Sequence, residues 1–227
     1  MPSAESNAMT RSRDFAPSLK EACVQAAREV IAEHGIEGLS MRDVARKLDI
    51  SHQAPYRHFE SRDHLLAEIM RRCFADFAQH LDDRPRTGNP AADLESMGHA
   101  YMGYARKKPL EYRLMFGTPW PEPAQHPALV QHAVHAFNLL RDSLRAMHGG
   151  QPEDHAQADR QAMFIWSALH GMASITQANV MQHLNLAPGV EQALSADMMV
   201  RIGLGLALPE AVPLAINPPQ TQRKPRT

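Results

Sequence analysis

The sequence predicts an all-α protein, with a small N-terminal helical head followed by a larger helical domain. Three observations carry this. Apolar residues recur at helical spacing in every patterned segment, with no period-two alternation of strands. Two very short helices with caps are joined by a tight turn at Asp49 and Ile50, and the breaker-rich stretch DDRPRTGNP, Asp82 to Pro90, interrupts the pattern. A chain of 227 residues with 44% hydrophobic and 22% charged side chains has room for one large core or two small domains and the balance of a globular protein.

In the first helix Leu19, Ala22, Cys23, Ala26, Val30 and Ile31 form the apolar face, and Gly35 stops it. Ser40 caps a second helix of barely two turns, carrying Met41, Val44, Ala45 and Leu48, with Asp43 placed to complement the positive end of the helix dipole. After the turn, Ser51 caps SHQAPYRHF, which reads as a third short helix. Pro55 falls near its first turn, where a missing N–H costs little, yet proline disfavours helical backbone at Ala54, so a tightened opening turn is expected. Two short helices around so tight a turn are a helix-turn-helix signature. Ser61 then caps a longer helix whose stripe, Leu65, Leu66, Ile69, Met70, Cys73, Phe74, Phe77 and Leu81, is broad enough to serve two neighbours.

Beyond Pro90 helices are expected at 91–107, 110–116, 127–147, 154–183 and 190–206, broken by PWPEPAQHP, HGGQPED and NLAPG. The expected domains are a head over 15–81, including the connecting helix, and a second domain over 91–207. Residues 1–14 read as a disordered segment, in which SNA before Met9 fits a cloning scar or native sequence. Residues 208–227 read as a flexible, proline-rich tail, whose Arg223, Lys224 and Arg226 add weak nonspecific attraction for phosphate.

A formal net charge of −1 singles out neither a nucleic acid nor an acidic partner, so any binding face must come from arrangement. Cys23 and Cys73 lie on apolar helix faces, as expected of buried thiols in a reducing compartment. The N-terminal stretch lacks the apolar core of a signal peptide and no later run is long enough to span a bilayer, so a cytoplasmic location without a membrane partner is expected.

The stretch GIEGLSMRDVARKLDISHQAPYRHFESRDHLL resembles the DNA-binding region of the TetR family of bacterial repressors, and the likeness runs from Leu19 to about Leu81. Leu39, Ser40, Arg42, Val44, Ala45, Leu48, Ile50, Ser51, Tyr56, His58, Phe59, Arg62, Leu65 and Leu66 carry it. Two positions depart from the family pattern: Asp49 stands where the turn usually has glycine, and Arg62 where lysine is common. A helix of this kind fits the major groove, so His52, Gln53, Ala54 and Arg57 are candidates for base edges. Gln53 can pair with adenine, Ala54 can touch a thymine methyl, and Arg42 can reach guanine. Ser40, Tyr56, His58 and Arg62 are suited to phosphate, and Ser51 at the cap completes the DNA-binding set. Residues 1–72 hold as many acids as bases, whereas from Ser40 to Arg62 bases exceed acids, predicting modest, salt-sensitive affinity that needs a dimer.

The segment YMGYARKKPLEYRLMFGTP, with the later WSALHG, resembles a TetR subgroup whose ligand-domain signature is Trp, His and Gly, here Trp166, His170 and Gly171. The likeness implies a regulatory domain whose ligand varies between members. Tyr101, Tyr104, Met115, Phe116, Trp120, Phe137, Met163 and Trp166 suit an apolar pocket with a few polar handles, and His170 shares a helix face with Trp166. Plain core packing fits the same residues. MMVRIGLGL is apolar on nearly every side, which calls for a second covering surface. The resemblance places a dimer interface on the last two helices, with Met172, Ile175, Met198, Met199, Ile202 and Leu206 as candidates; burial within one chain is the alternative. A two-fold dimer would present two heads to successive major grooves.

The expected function is that of a DNA-binding regulator, a repressor released from double-stranded operator DNA by a small apolar or aromatic effector and acting as a homodimer. The alternative is a metal-responsive or metal-binding protein using His126, His132 and His135, without the support of an HExxH motif or a cysteine pair. There is no GxSxG and no phosphate-cradling glycine loop, so no enzyme and no cofactor is expected.

Overall fold

A computed structural model describes residues 18–152 and 155–207. The segments expected to be disordered or flexible, 1–14 and 208–227, lie outside the described residues, as does the expected helix start at Asp154. Among the described residues the regular structure is helical, without a strand: α1 (Leu19–His34), α2 (Met41–Lys47), α3 (Arg62–Asp82), α4 (Pro90–Lys107), α5 (Pro109–Phe116), α6 (Pro127–Met147), α7 (His155–Gln177) and α8 (Val190–Ala207). The chain forms two compact units that are not consecutive in sequence. The first runs to Phe77 and also takes in Leu110–Ala136; the second holds Ala78–Pro109 and the chain from Phe137. Both α3 and α6 therefore pass from one unit to the other.

In the first unit α1 starts at Ser18, whose Oγ accepts from the Glu21 amide at 3.3 Å, and ends at Gly35, with φ of 73°. Its inner face buries Cys23, Val24, Ala26, Ala27, Val30 and Ile31. Packing decides the state of the thiols: Cys23 and Cys73 are both buried and not joined in a disulfide, and burial pushes the Cys23 thiol above its ordinary range. Ser40 caps α2 by accepting from the Asp43 amide at 3.1 Å, while its hydroxyl donates to the Asp43 carboxylate. The turn after α2 is a Schellman arrangement: Asp49 sits at φ of 53° and donates to the Arg46 carbonyl, and Ile50 donates to the Ala45 carbonyl at 3.1 Å.

The third head helix differs from expectation. Only Pro55–Arg57 is regular, and it is a single 3₁₀ turn. The amides of Ala54, Tyr56, Arg57 and His58 each bond back three residues, to Ser51, Gln53, Ala54 and Pro55, at 2.9 to 3.2 Å. Proline has no N–H to continue an α ladder, and three-residue bonds need one fewer residue per ring, so the tighter helix fits the short segment between Ser51 and Phe59. Ala54 nonetheless adopts helical dihedrals, φ −63° and ψ −41°. Pro55 and Phe59 are buried beneath the segment and hold it against the head.

In the second unit α4 packs against α7 and α8, and α7 against α8. Asn89 caps α4 by accepting from the amides of Ala91 and Ala92 at 3.0 and 3.2 Å, with Pro90 at the first helical position. A Cβ at Gly98 would stand 2.5 Å from the Met199 sulfur, so the end of the Met199 side chain fills the space that the glycine leaves on α4. The helix expected to reach His183 ends at Gln177. Asn179 takes the left-handed conformation, φ 55°, and a separate 3₁₀ turn follows at Met181–His183.

Candidate nucleic-acid interface

The tip of the head is an exposed polar surface. Ser51, His52, Gln53, Tyr56, Arg57 and His58 face solvent, Ala54 is half-buried, and Arg42 on α2 is exposed beside them. The alternation has a physical origin: Pro55 and Phe59 take the inward positions, which leaves the polar residues between them outside. Arg42, His52 and Tyr56 line a shallow cleft of about 320 Å³. Ser40 is half-buried with its oxygen committed to Asp43, whose carboxyl is held below its usual range by that bond and then by Arg46.

The charges of the head sort by face. Lys47 pairs with Glu33 at 2.7 Å and Glu29 at 3.4 Å, and Arg72 pairs with Glu21 at 2.5 Å, so acids of α1 are neutralised by neighbouring helices. Glu68 on α3 accepts from Arg71 and Arg72; burial pushes its carboxyl up, but the two guanidinium bonds outweigh this and bring it down to about 2. At the tip, Arg42 and Arg57 have no carboxylate partner among the described residues. A near-neutral chain thus keeps two guanidiniums that make no salt bridge among the described residues on the surface that also carries Gln53, His52 and Tyr56.

Arg62 lies apart from that surface in what it touches. Its Nε donates to the Leu39 carbonyl at 2.9 Å, its Nη2 to the Ile36 carbonyl at 2.8 Å, and its Nη1 to Asp63 at 3.3 Å.

The ligand candidates divide between the units. In the first, Met115 is fully buried, and Phe116 and Trp120 join Phe74, Phe77 and Tyr112 in an aromatic cluster with centroids 4.9 to 6.0 Å apart, edge-on except for the tilted Tyr112–Phe116 pair. Trp120 donates its indole N–H to the Met115 carbonyl at 3.0 Å. In the second, Tyr101 and Tyr104 are buried, with Tyr104 against His80; Phe137, Trp166 and His170 form a chain of rings; and Met163 is exposed. Burial lowers the pKa of His170.

The second unit also holds an apolar cleft of about 580 Å³ between α4, α7 and α8, lined by Leu94, Ile165, Leu169 and Ile202 among others and by none of the nine ligand candidates. Sequence reasoning followed large aromatics. The signal for this cleft was the set of small residues, Ala91, Ala92, Gly98 and Gly203, along the facing helices. Of the dimer candidates, Met199 and Ile202 are buried inside the unit, Met172, Met198 and Leu206 are half-buried, and Ile175 is exposed. Val200 and Leu204, within the stretch MMVRIGLGL, are exposed on α8, and Phe164, which the sequence did not single out, is exposed on α7.

The three histidines of the metal alternative do not form a ligand set. His126 is buried edge-on to His64 at 4.8 Å, His135 is exposed, and His132 donates from Nδ1 to the Ala128 carbonyl while Nε2 accepts from Arg71 at 3.3 Å. Among the described residues no three His, Cys, Asp or Glu side chains are placed to hold a metal ion.

A short helix-turn-helix with an exposed polar tip, in a chain that also holds a second helical unit, defines a protein of the helix-turn-helix class. Residues 24–69 match the family model of bacterial regulatory proteins of the tetR family, and residues 94–201 that of the tetracyclin repressor-like C-terminal domain. The chain belongs to the TetR family of transcriptional regulators. It is similar to an HTH-type transcriptional regulator of Mycobacterium tuberculosis, 30% identical over 112 residues that make up 48% of each chain. It thus spans about half the length of the curated relatives it matches. Among solved structures it is similar to a protein of unknown function from Rhodococcus sp. RHA1, with a TM-score of 0.69, 23% identity, and coverage of 87% of this chain and 100% of the other. It is also similar to the multidrug binding protein EbrR complexed with imidazole, with a TM-score of 0.54, 21% identity, and coverage of 82% and 96%. At these identities the two structures speak for the fold. No helix among the described residues is long and apolar enough to cross a membrane.

Proposed function

We propose that the protein is a dimeric repressor that holds double-stranded operator DNA through the surface from Ser51 to His58 and is released by a small apolar or aromatic effector. The observation that carries this reading is the tip of the head, where six of the eight side chains from Ser51 to His58 face solvent beside an unpaired Arg42. Buried Pro55 and Phe59 provide the rigid floor that a base-reading surface needs. Gln53, His52, Ala54, Arg57 and Arg42 are assigned to base edges, and Ser51, Tyr56 and His58 to the backbone, while Ser40, whose hydroxyl already donates to Asp43, is left as the cap of α2.

The effector reading is supported by the apolar and aromatic character of the second unit and by the multidrug-binding activity named for one structural neighbour. An effector releases DNA only if it binds the DNA-incompetent conformer better, and α3 and α6, which run through both units, are the elements able to carry that difference. The dimer reading is supported by the exposed apolar face of α8, and a DNA-bound regulator of this kind works in the cytoplasm.

The test is a mobility-shift assay against the upstream region of the protein's own operon, and against duplexes selected from random DNA. Retarded, sequence-dependent complexes that a screen of apolar aromatic compounds dissolves are expected. Binding no stronger than to arbitrary DNA at low salt refutes the assignment of the head.

A further inference from the structure

Its residue type and place suit Arg62, at the start of α3, to a phosphate contact, yet its guanidinium is turned back onto the protein. We propose that Arg62 is a positioning residue that locks the helix-turn-helix onto the first turn of α3; this rests on the DNA-binding reading above. The two carbonyls it grips have particular places. Ile36 opens the 3₁₀ turn that follows α1, and Leu39, itself buried, immediately precedes Ser40, the cap of α2. Both bonds are charge-assisted and made by adjacent donors of one planar fork, so they fix direction as well as distance. Nη1 faces Asp63, which leaves three of the guanidinium nitrogens engaged within the chain.

The consequence is mechanical. Ser61 caps α3 one residue earlier, accepting from the His64 amide at 3.3 Å, so the cap of α3 and the cap of α2 are joined through a single side chain. A shift of the first turn of α3 moves Leu39 and Ser40 with it, and hence the turn at Asp49 and the reading surface beyond. Arg62 thereby links the helix that crosses both units to the surface that meets DNA.

The test uses the full-length chain, wild type, Arg62→Ala and Arg62→Lys, at a temperature where all three are folded by circular dichroism. Fluorescence anisotropy against a selected operator and a scrambled duplex is read across a salt series. Both variants should lose about tenfold in operator affinity, keep scrambled-duplex affinity within about twofold, and keep the slope of log affinity against log salt, since no phosphate contact is removed. Amide hydrogen exchange without DNA should be faster over Ser40–Val44 in both variants, lysine lacking the planar fork. A slope lowered by about 1 in Arg62→Ala, with both affinities falling together and Arg62→Lys normal, identifies a phosphate contact and overturns the proposal. Unchanged exchange in both variants overturns it too. If wild type itself fails to bind any duplex specifically, the DNA-binding reading is what fails, and the exchange measurement still decides whether Arg62 locks α2 to α3.

Discussion

Asp49 occupies a position that suits glycine, and replacing it measures what the turn of the helix-turn-helix costs. Its φ of 53° places an L-residue in the left-handed region, within the Schellman bonds that close α2. That conformation costs an L-residue roughly 1–2 kcal/mol, with Asp at the low end because it enters the region more readily than most. The carboxylate is exposed, has no hydrogen-bond or ion-pair partner among the described residues, and lies at the negative end of α2, which adds roughly 0.3 kcal/mol of repulsion. Glycine removes both penalties, but its freedom in the unfolded chain offsets about 0.4–1 kcal/mol. The net expectation for Asp49→Gly is stabilisation by about 0.3–0.9 kcal/mol, or about 1–4 °C in Tm for a chain of this size. Asp49→Ala keeps the strain, loses the tolerance of Asp, and should be less stable than wild type. Urea unfolding followed by circular dichroism reads both. If Asp49→Gly is neutral or destabilising while Asp49→Ala is harmless, the carboxylate holds the turn and the strain argument is wrong.

Glu68 supplies a pH dependence. Its folded pKa, about 2, lies below the ordinary 4.5, so its contribution to stability is complete above about 4.5 and disappears as pH falls through 2. Glu68→Gln should be less stable than wild type near neutral pH, with the difference shrinking between those values; urea titrations at stepped pH check this, and a constant difference contradicts it. On α8, Val200 and Leu204 are 60% and 64% exposed one helical turn apart, so Leu204→Glu should leave the fold intact and shift sedimentation from dimer to monomer. A dimer that persists moves the interface elsewhere.

The helices of the head were legible because each rests on short-range chemistry: Ser18, Ser40 and Ser61 accept amide bonds where a serine precedes an apolar run, and Gly35 and Asp49 take positive φ where the runs stop. The helical type of Ser51–Phe59 was not legible, because capping and periodicity favour an α-helix there while the missing proline N–H and the buried Phe59 select the tighter turn. Helix α7 read too long for a related reason: apolar periodicity continues past Gln177, and nothing local outweighed it until Asn179 adopted the left-handed conformation.

By itself the sequence determined the all-helical class and the helix-turn-helix, since caps, turns and periodicity act over three or four neighbours. Tertiary structure alone decided three things. It joined Leu110–Ala136 to the head in one compact unit, it placed the apolar cleft between α4, α7 and α8 away from the aromatic residues, and it turned Arg62 onto Leu39 and Ile36. Each depends on partners separated by more than twenty positions in the chain, and local pattern carries no record of which distant backbone a side chain will meet.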